Sequence, residues 1–262
     1  MYIDSHAHLY MLSKEKKISL EDIFCEMKKN NVGALINISG NEKEALFHDK
    51  EVVPAALKAG VDTLHSAGIH PHTASLFTDN DIRWLKKSCE KHSAVGEIGI
   101  DTHYNFSPPQ TQEKVLLKMV ELGIELQKPL IIHGRCGEKR IVEILEHHGL
   151  KGKKVLFHCY TGDEIIARNI INNGWHISFS GIVTFKKAGV LTSILKWIDL
   201  DRIFFETDSP FLSPHPFRGK INTPAKVKYI YEFASRLLNL DADKLAKKIE
   251  KNFKTFFDRE KL

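Results

Sequence analysis

Pro129-Leu130-Ile131-Ile132-His133 decides the fold: consecutive large apolar residues, too few for a helix, closing on a histidine. A short run without polar alternation is the mark of a strand buried on both faces, as in a parallel sheet. Upstream, Leu116, Met119, Val120, Gly123, Ile124 and Gln127 recur at helical spacing after Pro108-Pro109, and proline suits the first turn of a helix. Downstream, 137–148 has helical spacing again. The unit is therefore helix, buried strand, helix.

The same unit recurs outward in both directions. Apolar runs at 2–9, 33–39, 63–70, 93–100, 154–159, 176–181 and 203–208 join 129–134 to give eight predicted strands. Helices are predicted at 19–30, 79–91, 162–173, 189–197 and 241–257, the last with Leu245, Ile249, Phe253, Phe256 and Phe257 as its core face. Eight alternating units predict an α/β protein, a single (β/α)8 TIM-type barrel. No linker-like stretch divides the chain, so one domain over 1–262 is expected. An open doubly wound sheet would ordinarily carry a glycine-rich phosphate loop after its first strand, and no G-x-G-x-x-G or P-loop occurs.

Composition narrows the class. At 262 residues and 42% hydrophobic, the chain can bury roughly three quarters of its unfolded surface. It has no charged-then-apolar leader and no run of about 18 apolar residues, so a cytoplasmic protein without membrane association or an obligate protein partner is expected. Cys25, Cys89, Cys136 and Cys159 are scattered, which argues against a disulfide framework and a zinc ribbon. A net charge of +5 tolerates a polyanionic partner but is far from the basic stripe of a dedicated DNA-binding module. The 14 histidines are the anomaly.

Many of them fall where strands end. In a strand, residues i and i+2 share a face, so His6 and His8 can reach one ion. The other predicted strand ends carry His70, Glu97, His133, His158, and Glu206 with Asp208, all of metal-ligating type. In a barrel the carboxyl ends of the strands form the active face, so these residues predict a metal site there. Imidazoles and carboxylates without thiolates suit Zn, Mn, Fe or Mg, and a carboxylate such as Glu97 can bridge two ions. Two divalent ions activating water predict hydrolysis.

Across residues 2 to beyond 224 the motifs Ile3-Asp4-Ser5-His6-Ala7-His8, Gly68-Ile69-His70-Pro71-His72, Gly96-Glu97-Ile98-Gly99-Ile100-Asp101, Pro129 to Arg135, Phe157-His158-Cys159-Tyr160-Thr161-Gly162, Glu206-Thr207-Asp208-Ser209-Pro210, and Arg218-Gly219-Lys220 with Asn222 and Pro224 resemble the TatD-type metal-dependent deoxyribonucleases. The resemblance implies that His6, His8 and Asp208 hold one ion and His133 and His158 a second, with Glu97 bridging. It makes Asp208 and Glu97 the catalytic carboxylates, Asp208 the proton acceptor for the attacking water, and Glu206 a ligand at a third, weaker metal position. His70, Arg135, Arg218 and Asn222 would meet the substrate phosphate. The chain departs from the family pattern at Tyr10, where an Asp or Asn is usual, and at Cys136-Gly137, where an acidic residue and an alanine are usual.

What this implies is a deoxyribonuclease acting on DNA, exonucleolytic on single-stranded or frayed ends. The alternative is an amide, ester or phosphoester hydrolase acting on a small molecule or an aminoacyl-tRNA. Plainer roles stand beside some residues: Asp4 as an orienting partner of the histidines, Asp101 as a loop cap, Tyr104 and Phe106 as packing rather than base-stacking groups, and Cys136 and Cys159 as bystanders.

Overall fold

The computed structural model describes residues 1–260. Among them, eight strands pair in parallel in the order of the chain: β1 (Tyr2–Ala7), β2 (Val32–Ser39), β3 (Asp62–Ala67), β4 (Ala94–Asp101), β5 (Leu130–Arg135), β6 (Val155–His158), β7 (His176–Phe179) and β8 (Ile203–Phe205). With helices between them, this is the TIM-type (β/α)8 fold that the apolar runs predict. Helices at Asp79–Lys91 and Gly189–Trp197 match prediction to the residue, and the helices at Leu20–Lys29, Glu138–His147, Glu164–Asn172 and Ala242–Phe256 match to within two. Those at Glu42–Phe47, Val53–Ala59 and Val227–Leu238 are additions. Among the described residues no helix is long and apolar enough to cross a membrane.

Packing divides the chain into two compact units. The first comprises Met1–Asn37, Leu46–Leu64 and Ser178–Leu262. Its core is aromatic: Tyr231 lies 4.9 Å from the ring of Tyr2 and 4.7 Å from that of Phe205, while Phe204 meets Phe256 at 5.5 Å. The Tyr231 hydroxyl, wholly buried, donates to the Ile3 carbonyl, so its polar end is satisfied where its ring packs. Leu245, Ile249, Phe253, Phe256 and Phe257 are all buried, as the closing helix requires.

The second unit comprises Ile38–Ala45 and His65–Ile177. In it, β4 pairs with β5 and β5 with β6, so that Gly99 stands beside His133 and His133 beside His158. Glycine is needed at this point: a Cβ on Gly99 would collide with the His133 carbonyl oxygen. The close approach is what brings the β4 backbone, and Glu97 on it, against β5.

Candidate metal centre

Within the first unit, β1 delivers His6 and the residue after its end delivers His8. Backbone bonds tie both to the segment after β8: Asp208 N–H donates to the His6 carbonyl at 3.0 Å, and His8 N–H to Ser209 O at 2.9 Å. The predicted strand 203–208 stops at Phe205, so Glu206 and Asp208 lie beyond it. Asp208 has a left-handed backbone, φ 53°, which turns its carboxylate back toward the histidines. His6 Nε2 and His8 Nε2 are 3.3 Å apart, and Asp208 Oδ1 lies 3.4 Å from His8 Nε2 and 3.9 Å from His6 Nε2. A point equidistant from three atoms with these spacings is about 2.1 Å from each, a zinc–imidazole distance. The donor set fits a divalent ion.

Two buried carboxylates support this set. Asp4 accepts from the His6 and Thr207 backbone N–H groups and from the Thr207 hydroxyl, so it orients the main chain around His6 rather than the ring. Burial drives its carboxyl well above the usual range despite those bonds. Glu206 accepts from the Ser178 hydroxyl at 2.6 Å.

Within the second unit, Glu97, His133 and His158 gather their donor atoms. Glu97 Oε2 is 2.7 Å from His158 Nε2 and 3.7 Å from His133 Nδ1, and the two ring nitrogens are 3.2 Å apart. The equidistant point here is about 1.9 Å from each atom, so a small opening admits the same kind of ion. His133 Nε2 faces Asp101 Oδ2 at 3.2 Å, which places the proton on Nε2 and leaves Nδ1 to coordinate. Burial works against the charged ring of His133, yet its bonds to Asp101 and Glu97 hold its pKa above the ordinary histidine value.

His70, expected at a strand end, instead caps the turn Pro71–Leu76. Its Nδ1 accepts the His72 backbone N–H, so Nε2 carries the proton, 3.8 Å from Glu97 Oε1. Burial lowers its pKa to about 3, keeping the ring neutral. It is a donor aimed at the cluster, where it faces His133 Nδ1 at 3.3 Å.

Asp101 does more than cap a loop. Its Oδ1 accepts the backbone N–H groups of His103 and Tyr104, and its Oδ2 faces both His72 Nε2, at 2.7 Å, and His133 Nε2. Burial alone would raise its carboxyl; the bonds from His133, Tyr104 and His72 outweigh that and hold it well below the usual range. His72 carries no assignment in the sequence reading, although its spacing from His70 repeats that of His8 from His6.

The remaining predicted contacts are placed variously. The Arg135 guanidinium lies over the Tyr104 ring at 4.7 Å, and Arg218 over Phe185 at 4.2 Å. Asn222 is wholly buried, with Nδ2 donating to the carbonyls of Thr207 and Phe211 and Oδ1 accepting from Thr223 N–H. Its amide is thus committed to the backbone on either side of Asp208, and it shapes that loop. Cys136 and Cys159, each directly after a site residue, have left-handed backbones of φ 57° and 44°.

The fold and these donor sets define a metal-dependent hydrolase. The chain belongs to the TatD related DNase family, whose profile matches residues 3–258. It is 34% identical to the metal-dependent hydrolase YabD of Bacillus subtilis, over 98% of this chain and 99% of that one. It is 30% identical to the metal-dependent hydrolase YcfH of Escherichia coli, over 97% and 95%. Among solved structures, YjjV, a TatD homologue from E. coli, superposes with a TM-score of 0.86 at 21% identity, covering 98% of both chains.

Proposed function

We propose that this protein is a deoxyribonuclease that hydrolyses phosphodiester bonds at single-stranded or frayed DNA ends with two divalent ions. His6, His8 and Asp208 would hold one ion, Glu97, His133 and His158 the other, and Glu206 would serve a third, weaker position. Bound there, Mg, Mn or Zn supplies Lewis acidity toward a phosphoryl oxygen and acidifies water. The observation that carries the reading is the pair of three-donor sets, each built from two imidazoles and one carboxylate at ligand spacing. The family profile supports DNA as the substrate.

The chain's own groups divide the work. The Asp208 carboxylate takes the proton of the attacking water. The neutral His70 ring donates its Nε2–H to a phosphate oxygen, a task that the neutral Nδ1–H tautomer would not serve. Arg135 and Arg218 offer planar forks that pair with the same phosphate or its neighbour.

The test is degradation of an end-labelled single-stranded oligonucleotide by metal-stripped protein with Mg, Mn or Zn restored, beside Asp208→Asn. Restored cleavage that the variant lacks supports the reading. Stoichiometric metal binding with no cleavage under any ion overturns it and turns attention to small esters, amides and phosphomonoesters.

A further inference from the structure

Two large aromatic side chains stand out of the loop that follows β4. Phe106 is 67% exposed and Tyr104 50%, in a chain whose other aromatics largely pack inward. Their rings are nearly parallel, 12° apart with centroids at 5.8 Å. His72 meets both edge-on, at 5.6 Å to Tyr104 and 4.8 Å to Phe106. The Arg135 guanidinium lies over Tyr104.

The loop holding them is pinned at both ends. Asp101 accepts the Tyr104 and His103 N–H groups. Gln112, wholly buried, accepts the Asp101 N–H and donates to the carbonyls of Asp101 and Ser107, while the Ser107 hydroxyl donates to the His72 carbonyl. Packing does not account for a fixed pair of exposed rings, whose apolar faces cost free energy in water. A preorganised ring pair beside a cation is what a planar, electron-rich group of a polyanion binds, since stacking is sequence-tolerant and ordering the platform costs little. The platform is continuous with the donor cluster: His72 touches both rings and shares Asp101 with His133.

We propose that Phe106 and Tyr104, flanked by Arg135, form a stacking subsite for an unpaired nucleobase of the DNA strand being cut, an assignment that rests on the nuclease reading above. A base held there fixes the strand relative to His133, and a paired base, already stacked in its duplex, is not free to occupy it. The subsite therefore selects single-stranded or frayed ends.

The test is equilibrium binding to the full chain in chelator, where no strand is cut. The probes are a short single-stranded DNA oligonucleotide and a series in which one position at a time is abasic. One abasic position is expected to weaken wild-type binding about tenfold, and the penalty is expected to vanish in Phe106→Ala and in Tyr104→Ala. Phe106→Trp, which keeps the platform, is expected to retain it, guarding against a misfolded alanine variant. Penalties below about twofold at every position, a penalty that survives both alanine substitutions, or no binding of any probe would overturn the subsite. So would a penalty confined to the RNA counterparts of the probes, because the assignment is to DNA. Failure of the nuclease reading looks different: no oligonucleotide is cleaved when metal is restored. Cleavage without a base penalty leaves that reading standing and removes this one.

Discussion

Asp4 beneath the first donor set and Asp101 beside the second are the same residue type, both closed to solvent, and their carboxyls are pushed in opposite directions. Burial dominates at Asp4, where the Thr207 hydroxyl and two backbone N–H groups are neutral partners and the Glu206 carboxylate adds to the rise. At Asp101 two imidazoles join the backbone donors, and their combined pull outweighs burial. Depth and partners together decide the charge: Asp4 lies deeper among neutral donors, and Asp101 meets two imidazoles. At His6 the nearby carboxylate meets the main chain, and at His133 it meets the ring itself, where it sets which ring nitrogen carries the proton.

The largest expected effect separates the sets outright. If each three-donor set holds its own ion, His8→Ala should bring bound metal from two equivalents to one, and His158→Ala should do the same independently, with hydrolysis falling by about a thousandfold or more in either. Elemental analysis of the dialysed proteins reads the first and oligonucleotide turnover the second. Two equivalents retained in either variant would break the pairing of donors to ions.

Asp101→Asn sharpens the contrast next. An amide can face His133 Nε2 with its oxygen but lacks the charge that favours the Nε2–H tautomer, so metal affinity at that set should fall about 10–100-fold. Metal titration should show the first set unchanged. Asp4→Asn should reverse the pattern, costing stability more than affinity, since Asp4 acts on the backbone of His6 and Thr207.

How much of this was legible in the sequence depends on whether a feature is periodic. Most of the eight strands were, because burial on both faces favours apolar runs, although Asp4, Ser5 and His6 interrupt the run in β1 and His65 and Ser66 the run in β3. The helix Val227–Leu238 is masked in the sequence although Val227, Ile230, Tyr231 and Ala234 keep helical spacing, because Tyr229, Ile230 and Tyr231 together resemble strand composition. Glu42–Phe47 and Val53–Ala59 are short, and Pro54 opens the second of them, so neither spans enough turns to show a period. His6, His133 and His158 are readable as residues near strand ends, whereas Glu97 lies in the middle of β4 and Asp208 beyond the end of β8. The bond from Asp101 to His72 and His133, and the commitment of Asn222 to its own loop, are not readable, since both depend on which loops meet in space.

A smaller effect comes from pH. The folded-state carboxyl of Asp101 lies below its unfolded value near 3.8, so the folded protein binds fewer protons there and the carboxylate stabilises it at every pH above that value. The contribution is lost as pH falls from about 4 through the lower folded pKa. Asp4 has the opposite sign: its raised folded pKa favours the folded state most below 3.8, and that advantage disappears as pH rises through the folded value. Denaturant midpoints of metal-stripped protein should therefore show the gap between wild type and Asp101→Asn closing as the solution is acidified. The gap between wild type and Asp4→Asn should shift in favour of wild type at higher pH, as the solution is acidified from the raised folded value of Asp4 down to 3.8, and should stay level below that. Parallel trends in the two variants would mean that the partner argument is wrong.

The smallest effect concerns the backbone. Asp208 and Cys136 both occupy left-handed conformations, φ 53° and 57°, which a side chain adopts at a cost of about 1–2 kcal/mol. At Asp208 the strained turn is what points a carboxylate at His6 and His8, so relief and function are incompatible there. At Cys136 the side chain is exposed, and the positive φ lies on the path from β5 into the helix at Glu138–His147, where the Cys136 carbonyl accepts from the Thr102 hydroxyl. Glycine accepts that conformation without strain but adds unfolded-state entropy, so Cys136→Gly should stabilise the protein by no more than about 1 kcal/mol. Asp208→Gly should gain a similar amount while losing metal and turnover. A destabilised Cys136→Gly protein would show that the cysteine packs more tightly than its exposure implies. It would also remove the distinction between strain that serves chemistry and strain that serves only the chain's course.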